Sequence, residues 1–376
     1  MHHVTIYRKE GRYAGWPANY GIWSWGDEIV VGFTLGYHKA DGGFHSRDTE
    51  KPFIGMQARS LDGGQTWQVQ ETPCRTPGNR GLSADEHMKR NLGVGQVLEA
   101  GNAPVDCPGG INFTHPDFAL MCARSGLRAG AKSWFYISYD RCKRWEGPFT
   151  LPMFGQTGIA ARTDYLVSDA DECTLFLTAA KPNGDEGRVF CARTTDGGKT
   201  FAFLSWIGPE PEGFAIMPAS VQLSESRILV AIRCREGRQP FFDQTFLLKS
   251  LQNLETKQNW IDLYASNDNG AIWEYMNRPV ASTGIGGNPP TITKLQDGRL
   301  CMTYGYRDVP HSIRAKISSD DGETWGEDII LRDDGGNHDI GYPRTVQRAD
   351  GKMVTVYYFN DHPDGERYIA ATIWEP

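Results

Sequence analysis

The 376-residue sequence predicts an all-β protein built from several small antiparallel sheets, and three observations support this prediction. An eight-residue pattern, S-x-D-x-G-x-T-W, occurs at residues 318–325 and returns in exact or altered form four more times. An X-Pro pair precedes strand-like runs at regular places. The 43 glycines, 11 tryptophans and 15 tyrosines suit many short strands joined by sharp turns.

The repeated pattern predicts a tight turn between two strands. Its aspartate can accept backbone N–H groups within the turn, and its glycine takes positive φ values without steric cost. Threonine and tryptophan then begin the returning strand, where the large ring can pack beneath the turn. The pattern's aspartates stand at 62, 140, 196, 268 and 320, so successive copies are 52 to 78 residues apart. This spacing favours an array of antiparallel sheets.

In this pattern the chain resembles the Asp-box proteins, whose best-known members are the sialidases (neuraminidases), six-bladed β-propellers with four-stranded blades. The resemblance covers nearly the whole chain and implies one propeller domain over residues 1–376. A count of strand starts agrees with six blades, because proline is tolerated at the first residue of a strand. The six starts are Trp16-Pro17, His115-Pro116, Arg162-Thr163-Asp164, Met217-Pro218, Asn288-Pro289 and Tyr342-Pro343.

The last blade shows how the ring is expected to close. Residues 345–347, 353–359 and 367–374 predict three strands. Residues 4–7 are the natural fourth strand, so the N-terminus would pair with the final blade and leave no open edge.

Two stretches are longer than the connections of a four-stranded blade require and are expected to be insertions. They cover about residues 74–110 and 236–259. The second has apolar residues at roughly helical spacing, which favours an amphipathic helix. Such a helix would cap the pocket, contact another subunit in a homo-oligomer, or pack on its own blade.

Composition excludes several function classes. A net charge of −7, from 39 Lys+Arg against 46 Asp+Glu, argues against a nucleic-acid partner or an anionic membrane surface. The N-terminus has no signal-peptide pattern and no run approaches the ~20 apolar residues of a membrane helix, so a cytoplasmic protein is expected. A secreted protein whose leader has been trimmed off is the alternative. Eight dispersed cysteines favour reduced, buried thiols, and neither a metal site nor a cofactor is predicted.

Topology separates the two rims of such a ring. If the first three strands of each blade alternate in direction, the start of the first, the end of the second and the following loop share one rim. The repeated turns share the other rim, so their aspartates are expected to be structural. The candidate residues on the first rim are Trp16, Asn19, His38, Asp41, His45, Asp48, His115, Asp117, Arg162, Asp164, Lys181, Met217, Arg233, Asn288, Arg307, His311, His338, Asp339, Tyr342 and Arg344. Basic groups at the mouth of an acidic protein suit a small anionic ligand, most simply a sugar carboxylate.

The resemblance implies roles for some of these residues. Sialidases use a tyrosine nucleophile, an acid/base aspartate, a glutamate that assists the tyrosine, and three arginines that hold the substrate carboxylate. Tyr342 matches the tyrosine, with the family's spacing to its Asp-Gly turn. Asp48 resembles the acid/base, and Arg233 resembles the second arginine.

The sequence also departs from the sialidase pattern. Met217 stands where the family has its glutamate, and a thioether cannot take a proton. The N-terminal arginine motif is replaced by Trp16-Pro17-Ala18-Asn19. The third arginine position falls near His311, with Arg307 and Arg314 as candidate replacements.

The sequence therefore predicts an exo-acting glycoside hydrolase of the sialidase-like class that cleaves a terminal acidic sugar from a glycan. Asp48 would be the acid/base, and Tyr342 the nucleophile or the stabiliser of the oxocarbenium-like state. Arg233 and Arg307 would clamp the anion. The other predicted substrate contacts are Trp16, His38, His115, Asp117, Arg162, Asp164, Asn288, His311 and Arg344.

Two other functions stay open at this stage. In a polysaccharide lyase, an arginine would neutralise a uronate carboxylate while Tyr342 or a histidine removes the α-proton. A non-catalytic carbohydrate-binding propeller is suggested by Met217 in place of the glutamate. Single residues also have structural alternatives: Tyr342 as a pocket wall, Asp48 in a solvated salt bridge, and His115 and His311 in structural hydrogen bonds.

Overall fold

The computed structural model describes residues 1–77, 82, 102–237 and 258–376, and these residues form six antiparallel sheets arranged as a six-bladed β-propeller. The all-β prediction and the number of blades are confirmed. Most of both predicted insertions, at residues 78–81, 83–101 and 238–257, lies outside the described residues, as does the predicted amphipathic helix. The described part of the chain contains no helix long and apolar enough to cross a membrane.

The described strands are numbered in chain order. They are β1 (His2–Tyr7), β2 (Arg12–Gly15), β3 (Ile22–Trp25), β4 (Glu28–Tyr37), β5 (Ile54–Ser60), β6 (Gln68–Glu71), β7 (Ala119–Arg124), β8 (Ser133–Ser138), β9 (Glu146–Thr150), β10 (Tyr165–Val167), β11 (Cys173–Ala180), β12 (Glu186–Thr194), β13 (Ala202–Trp206), β14 (Phe214–Gln222), β15 (Ile228–Arg235), β16 (Asn259–Ser266), β17 (Glu274–Val280), β18 (Thr291–Lys294), β19 (Leu300–Tyr306), β20 (Ser312–Ser318), β21 (Ile329–Arg332), β22 (Gly341–Gln347), β23 (Met353–Phe359) and β24 (Tyr368–Trp374).

Each blade takes consecutive strands from the chain. Blade 1 consists of β2 to β6, with β2 and β3 both pairing with β4. Blade 2 contains β7 to β9, blade 3 β10 to β13, blade 4 β14 to β17, blade 5 β18 to β21, and blade 6 β22 to β24 with β1. Every residue of β11, β15 and β23 is buried, because neighbouring blades cover both faces of these strands. These strands therefore appear in the sequence as mostly apolar runs rather than as alternating patterns.

The ring closes as the sequence predicts. Strand β1 pairs antiparallel with β24, and the register sets Val4 opposite Ala371. The first strand of the chain is thus the fourth strand of blade 6, which covers the edge that β24 would otherwise expose.

The five repeated turns share one set of hydrogen bonds. In the copy at residues 318–325, the Ser318 hydroxyl donates to the Asp320 carboxylate at 2.8 Å, and the Gly322 N–H donates to that hydroxyl at 2.9 Å. The Thr324 N–H donates to Asp320 at 2.9 Å. The equivalent three bonds occur in the other four copies. Each aspartate is therefore occupied within its own turn.

Blade 2 corrects one strand assignment made from the sequence. Strand β7 follows His115-Pro116, and its first residue, Ala119, pairs with Ser138. Ser138 begins a repeated turn, so β7 starts on the turn rim and is equivalent to the second strand of the other blades. His115-Pro116 therefore does not begin an innermost strand. The other five proposed starts do lie at or just before innermost strands β3, β10, β14, β18 and β22.

Candidate active site

Inner strands from three different blades meet at the propeller axis. Ala18 of blade 1, Ile216 and Met217 of blade 4, and Tyr342 of blade 6 pack in one apolar cluster. Blade 4 is adjacent to neither blade 1 nor blade 6, so this contact locates the cluster where the inner strands converge. The cluster forms the apolar floor of the candidate site.

The backbone at this floor takes an unusual conformation three times. Trp16, Met217 and Tyr342 each precede a proline and have φ values of 58°, 54° and 50°. The register of β14 shifts between Ile216 and Ala219, and that of β22 shifts between Gly341 and Arg344. Left-handed conformations of bulky residues are costly and concentrate at functional sites.

Tyr342 is surrounded by positive charge. Its hydroxyl accepts a hydrogen bond from Arg233 Nη1 at 2.9 Å, and its ring centroid lies 5.5 Å from the Arg307 Cζ atom. Burial opposes ionisation of the phenol, but the charges of Arg233, Arg307 and Arg162 together lower its pKa below the ordinary 10.0. The phenolate form is therefore more accessible here than in an ordinary tyrosine.

Asn288 holds the backbone of Tyr342. Its side-chain oxygen accepts from the Tyr342 N–H at 2.8 Å, and its side-chain nitrogen donates to the Ile340 carbonyl at 3.0 Å. Asn288 is fully buried. Asn288, which was predicted as a substrate contact, therefore positions the backbone of Tyr342 in this structure.

Two arginines project from the same face of β15. Arg233 and Arg235 are two residues apart, and both donate to the carbonyl of Gly286. Arg233 Nη1 also lies 3.5 Å from the Met217 sulfur. Arg235 donates from Nε to Asn259 at 2.8 Å, and burial together with the charge of Arg233 lowers its pKa to about 9.

A third arginine reaches the site from blade 3. Arg162 donates from Nε to the Asn19 side chain at 3.3 Å and forms an ion pair with Glu186 through Nη2 at 2.8 Å. Glu186 is the first residue of β12, on the same rim. Arg162, Asn19 and Glu186 therefore join blades 1 and 3 beside Tyr342.

Arg307 forms hydrogen bonds to other groups of the protein through all three of its nitrogens. Its Nε donates to the Ile340 carbonyl at 3.1 Å, its Nη1 to the Gly287 carbonyl at 3.1 Å and its Nη2 to the Tyr358 hydroxyl at 2.5 Å. It is only 1% exposed. The geometry supports an electrostatic effect of Arg307 on Tyr342 rather than the direct anion contact predicted from the sequence.

A buried carboxylate, that of Asp339, holds the Tyr358 hydroxyl to which Arg307 donates. Asp339 accepts from the Tyr358 hydroxyl at 2.8 Å, from Arg367 Nε at 3.0 Å and from His45 Nδ1 at 2.7 Å. Burial opposes its charge, yet His45 and Arg367 hold the pKa of Asp339 well below 3.8. Burial lowers the pKa of His45 to about 4, so this ring is neutral near pH 7 and donates its Nδ1–H.

The loop between β4 and β5 crosses toward blades 5 and 6. The Phe44 ring lies 5.6 Å from the Arg307 Cζ atom and 4.4 Å from the His338 ring. His338 Nε2 is 3.0 Å from the Phe44 carbonyl oxygen. This loop therefore forms one wall of the site and is held there by His45 and His338.

Asp48, in the same loop, has local partners. Its carboxylate accepts from the Glu50 N–H at 3.0 Å and pairs with Lys51 Nζ at 3.3 Å. Among the described residues, no hydrogen bond or ion pair connects Asp48 with Tyr342. The structure does not bring the two predicted catalytic groups into contact.

Three more residues that were predicted to contact substrate have partners within the protein. Trp16 is fully buried, with its ring centroid 4.9 Å from Tyr13 and 5.3 Å from His45. His311 Nδ1 is 3.1 Å from the Arg307 carbonyl oxygen. The backbone of His38 pairs with Arg47 at the start of the loop that carries Phe44.

Arg344 and Asp164 lie further along the inner strands than Tyr342 and Arg162. Arg344 Nη2 donates to the carbonyls of Ala18, Tyr20 and Thr163 at 2.9, 3.1 and 2.6 Å, which links blades 1, 3 and 6. Asp164 accepts from the Ser220 hydroxyl at 3.1 Å. Burial raises the pKa of Asp164 to about 7, although the charge of Arg344 opposes the shift.

His115 and Asp117 do not belong to this group, which corrects their predicted position. Asp117 pairs with Arg141 at 2.6 Å, and the His115 ring contacts the Tyr139 ring at 5.1 Å. Arg141 and Tyr139 lie in the repeated turn of blade 2, on the opposite rim. The physical reason is that β7 runs away from the turn rim, so the residues before it start on that rim.

Sequence reasoning missed Glu186, Arg235 and Phe44. Arg235 had a usable signal, because residues two apart on a strand share a face and Arg233 was already a candidate. Glu186 begins a strand on the predicted rim, next to the candidate Lys181. Phe44 gave no signal, since a loop's path across other blades is a tertiary property.

The described residues contain no cluster of three or more histidine, cysteine or acidic side chains that could hold a metal ion. The eight cysteines are free thiols, and all except the half-buried Cys74 are buried.

Comparison with known proteins defines the fold. No protein-family model and no curated protein matches the sequence. A protein of unknown function from Dyadobacter fermentans has a similar structure, with a TM-score of 0.67 and 19% identity over 99% of this chain and 97% of that chain. The α-L-arabinanase of Penicillium chrysogenum follows with a TM-score of 0.58 and 12% identity over 99% and 98%. The NanB sialidase of Streptococcus pneumoniae has a TM-score of 0.58 and 10% identity over 98% of this chain and 70% of its own. These identities are low, and the likeness is one of fold.

Proposed function

We propose that this protein is a glycoside hydrolase that removes a terminal acidic sugar from a glycan. The observation that carries the proposal is the 2.9 Å hydrogen bond between Arg233 and the Tyr342 hydroxyl at the propeller axis. It places a phenol with a lowered pKa among guanidinium groups. The structural similarity to an arabinanase and a sialidase, both enzymes that act on sugars, supports a carbohydrate substrate.

The charge of the site favours an anionic sugar. Arg162, Arg233, Arg235 and Arg307 contribute four formal positive charges and Glu186 one negative charge, which leaves three positive charges in a protein of net charge −7. Guanidinium groups recognise carboxylates through paired, charge-assisted hydrogen bonds. A local field of this sign would concentrate an anionic substrate at the axis.

Tyr342 would act on the reacting carbon. Glycoside cleavage passes through an oxocarbenium-like state, and an anionic oxygen beside it stabilises the developing positive charge or attacks it. Arg233 and Arg307 would make the phenolate accessible by stabilising its negative charge. Asp48 is the proposed acid/base, and in this role its loop would have to carry the carboxylate away from Lys51 toward the axis.

The test is incubation with aryl glycosides and acidic oligosaccharides, including α-sialosides and uronates, with mass and absorbance measured on the products. A product pair heavier by one water identifies hydrolysis. Tyr342→Phe should then lower kcat by about 100-fold or more, because the phenolic oxygen supplies the stabilisation of the transition state. The control is Tyr275→Phe, since Tyr275 is 54% exposed on an outer strand. Binding without any product would contradict the proposal.

A second candidate, a polysaccharide lyase, is favoured by one observation. The hydroxyl of Tyr342 is bonded to Arg233, and the position beside them is occupied by Met217 rather than by a carboxylate. In a lyase the Tyr342 phenolate would remove the α-proton of a uronate whose carboxylate an arginine neutralises. The C–O bond on the neighbouring carbon would break as the double bond forms, and the leaving sugar oxygen would take a proton from the Tyr342 hydroxyl. An unsaturated product that absorbs in the ultraviolet, with no gain of water, would select this function.

A further inference from the structure

Arg162 uses only part of its hydrogen-bonding capacity. Its Nε donates to Asn19 and its Nη2 forms an ion pair with Glu186, while its buried Nη1 has no hydrogen-bond partner among the described residues. The side chain is 6% exposed. Buried donors are normally satisfied, so this nitrogen marks a place where the protein leaves a cation incompletely paired.

The guanidinium group of Arg162 lies near the proposed reaction centre. Asn19 directly follows Ala18, which packs in the same cluster as Tyr342 and Met217. The charge of Arg162 also reaches the phenol, because it helps to lower the pKa of Tyr342. Arg233, which donates to the phenol hydroxyl, keeps its own buried Nε without a hydrogen-bond partner in the described part of the chain.

Arg307, by contrast, has a hydrogen-bond partner at every nitrogen. All three of its nitrogens are bonded to backbone carbonyls or to Tyr358. Two of its five N–H groups remain, one on each Nη nitrogen, so an anion there would share nitrogens that already donate to the protein. Arg162 and Arg233 can each offer a donor at lower cost.

We infer that Arg162, together with Arg233, binds the anionic group of the substrate, and that Glu186 competes with the substrate for the charge of Arg162. This inference rests on the proposed function and names the residues that would set its preference for acidic sugars. Glu186 lies 2.8 Å from Arg162 and balances one of the four guanidinium charges. Asn19 is a positioning residue, since its side-chain oxygen orients the guanidinium.

The competition gives the two partners opposite effects on binding. Removing the guanidinium with Arg162→Met takes away an anion contact. Removing the charge of its partner with Glu186→Gln raises the net formal charge of the cluster from three to four. Anion affinity should therefore fall in the first variant and rise in the second, whereas a merely structural ion pair would weaken binding in both.

The experiment is calorimetric titration of the purified protein with D-glucuronate and with N-acetylneuraminate. The neutral amide or methyl ester of each acid serves as the matched uncharged ligand. We expect Arg162→Met to weaken binding of the better acid by about tenfold or more and to leave its neutral derivative unchanged. Glu186→Gln should tighten binding of the same acid by about threefold to tenfold.

Two further variants keep the result interpretable if Arg162→Met is unstable. Arg162→Met/Glu186→Gln removes the pair without leaving a buried charge, and it should bind the acid as weakly as Arg162→Met. Arg162→Lys keeps the charge and should retain part of the preference for the acid. The matched control pair is Arg141→Met and Glu28→Gln, an ion pair of 3.0 Å on the opposite rim, which should change no affinity.

The outcomes separate the inference from the proposed function, because binding requires no turnover. Acid binding that depends on Arg162, without cleavage of any glycan, would support the inference and remove the hydrolase. Cleavage of an acidic glycoside with the same kcat/KM in wild type and Arg162→Met would overturn the inference and leave the hydrolase. Equal acid affinity in wild type and Arg162→Met, weaker binding in Glu186→Gln, or no binding of either acid would also overturn it.

Discussion

At the scale of single residues, the site is built from costly conformations. Tyr342, Met217 and Trp16 adopt left-handed backbone angles, each at a cost on the order of 1–3 kcal/mol for a residue other than glycine. The prolines that follow them could be read from the sequence, but the sign of φ could not. The strain is tolerated because neighbouring blades hold these residues, as Asn288 holds the N–H of Tyr342.

The ionisation of Tyr342 gives a direct test of the charge around it. The guanidinium groups favour the anionic phenolate, so a tyrosine should titrate below the ordinary pKa of 10.0 in the folded protein. The measurement is an ultraviolet difference titration of wild type against Tyr342→Phe. Arg233→Met should move that titration to higher pH, because it removes the hydrogen bond and one positive charge. A midpoint at or above 10 in the wild type would contradict the electrostatic argument.

Asn288→Ala tests the support of Tyr342. The substitution leaves the Tyr342 N–H and the Ile340 carbonyl without their buried partner, so the free energy of unfolding should fall by about 1–3 kcal/mol. Catalytic activity should fall by more than the folded fraction does, because Tyr342 loses its fixed position. Urea unfolding and activity would be measured together. Asn183→Ala, in an exposed turn of blade 3, is the control and should be nearly neutral.

At the scale of elements, the inner strands are locked together along the axis. Arg344 of β22 bonds carbonyls beside β3 and β10, and Asp164 before β10 bonds Ser220 of β14. Four of the six blades are thereby connected near their inner edges. These two residues were predicted as substrate contacts, but their partners in the structure are parts of the protein. They stabilise the frame on which the site stands.

Asp164 should make stability depend on pH. Its pKa is raised from 3.8 to about 7, so between these values the folded state binds a proton that the unfolded state has lost. The free energy of unfolding should therefore decrease as pH rises from about 4 to about 7, by up to about 1.4 kcal/mol per pH unit from this group. Asp164→Asn should remove that part of the dependence, as measured by urea unfolding at several pH values. Parallel pH profiles for wild type and variant would exclude this role.

At the scale of the whole molecule, the first and last blades are joined in two ways. Strand β1 pairs with β24, and the buried Asp339 connects Arg367 of blade 6 with His45 and Tyr13 of blade 1. Both connections lie between residues about 300 or more positions apart in the chain. The site depends on them, because Asp339 also bonds Tyr358, the partner of Arg307.

Removal of residues 1–8 tests the ring closure. The deletion exposes the edge of β24 and removes its ladder bonds, so the midpoint of thermal unfolding should fall and the protein should tend to associate through the open edge. Calorimetry and size-exclusion chromatography would measure the two effects. A synthetic peptide of residues 1–8, added in excess, should restore part of the lost stability. Removal of residues 375–376, which follow β24, is the control, and an unchanged midpoint in the longer deletion would refute the closing role.

The sequence by itself determined the number of blades, the repeated turns, the closing strand and the placement of Tyr342 and Arg233. These features depend on local chemistry. The hydrogen bonds of each repeated turn lie within about six residues of its serine or threonine. Strands can be predicted from apolar runs and from the positions of prolines. Tyr342 and Arg233 could be found because a strand's start and its apolar run indicate which rim a residue occupies.

Only the tertiary structure decided which candidates meet and which donors remain available. The Arg162–Asn19 hydrogen bond joins residues 143 positions apart and the Arg233–Tyr342 hydrogen bond joins residues 109 apart. No local sequence pattern could therefore predict either bond. His115 and Asp117 lie on the opposite rim because the direction of β7 depends on its pairing with β8. Arg307 and Arg162 are the same residue type at the same rim. They differ in their contacts because the carbonyls around Arg307 come from distant loops, whereas Arg162 has only Asn19 and Glu186 as hydrogen-bonding or ion-pairing partners among the described residues.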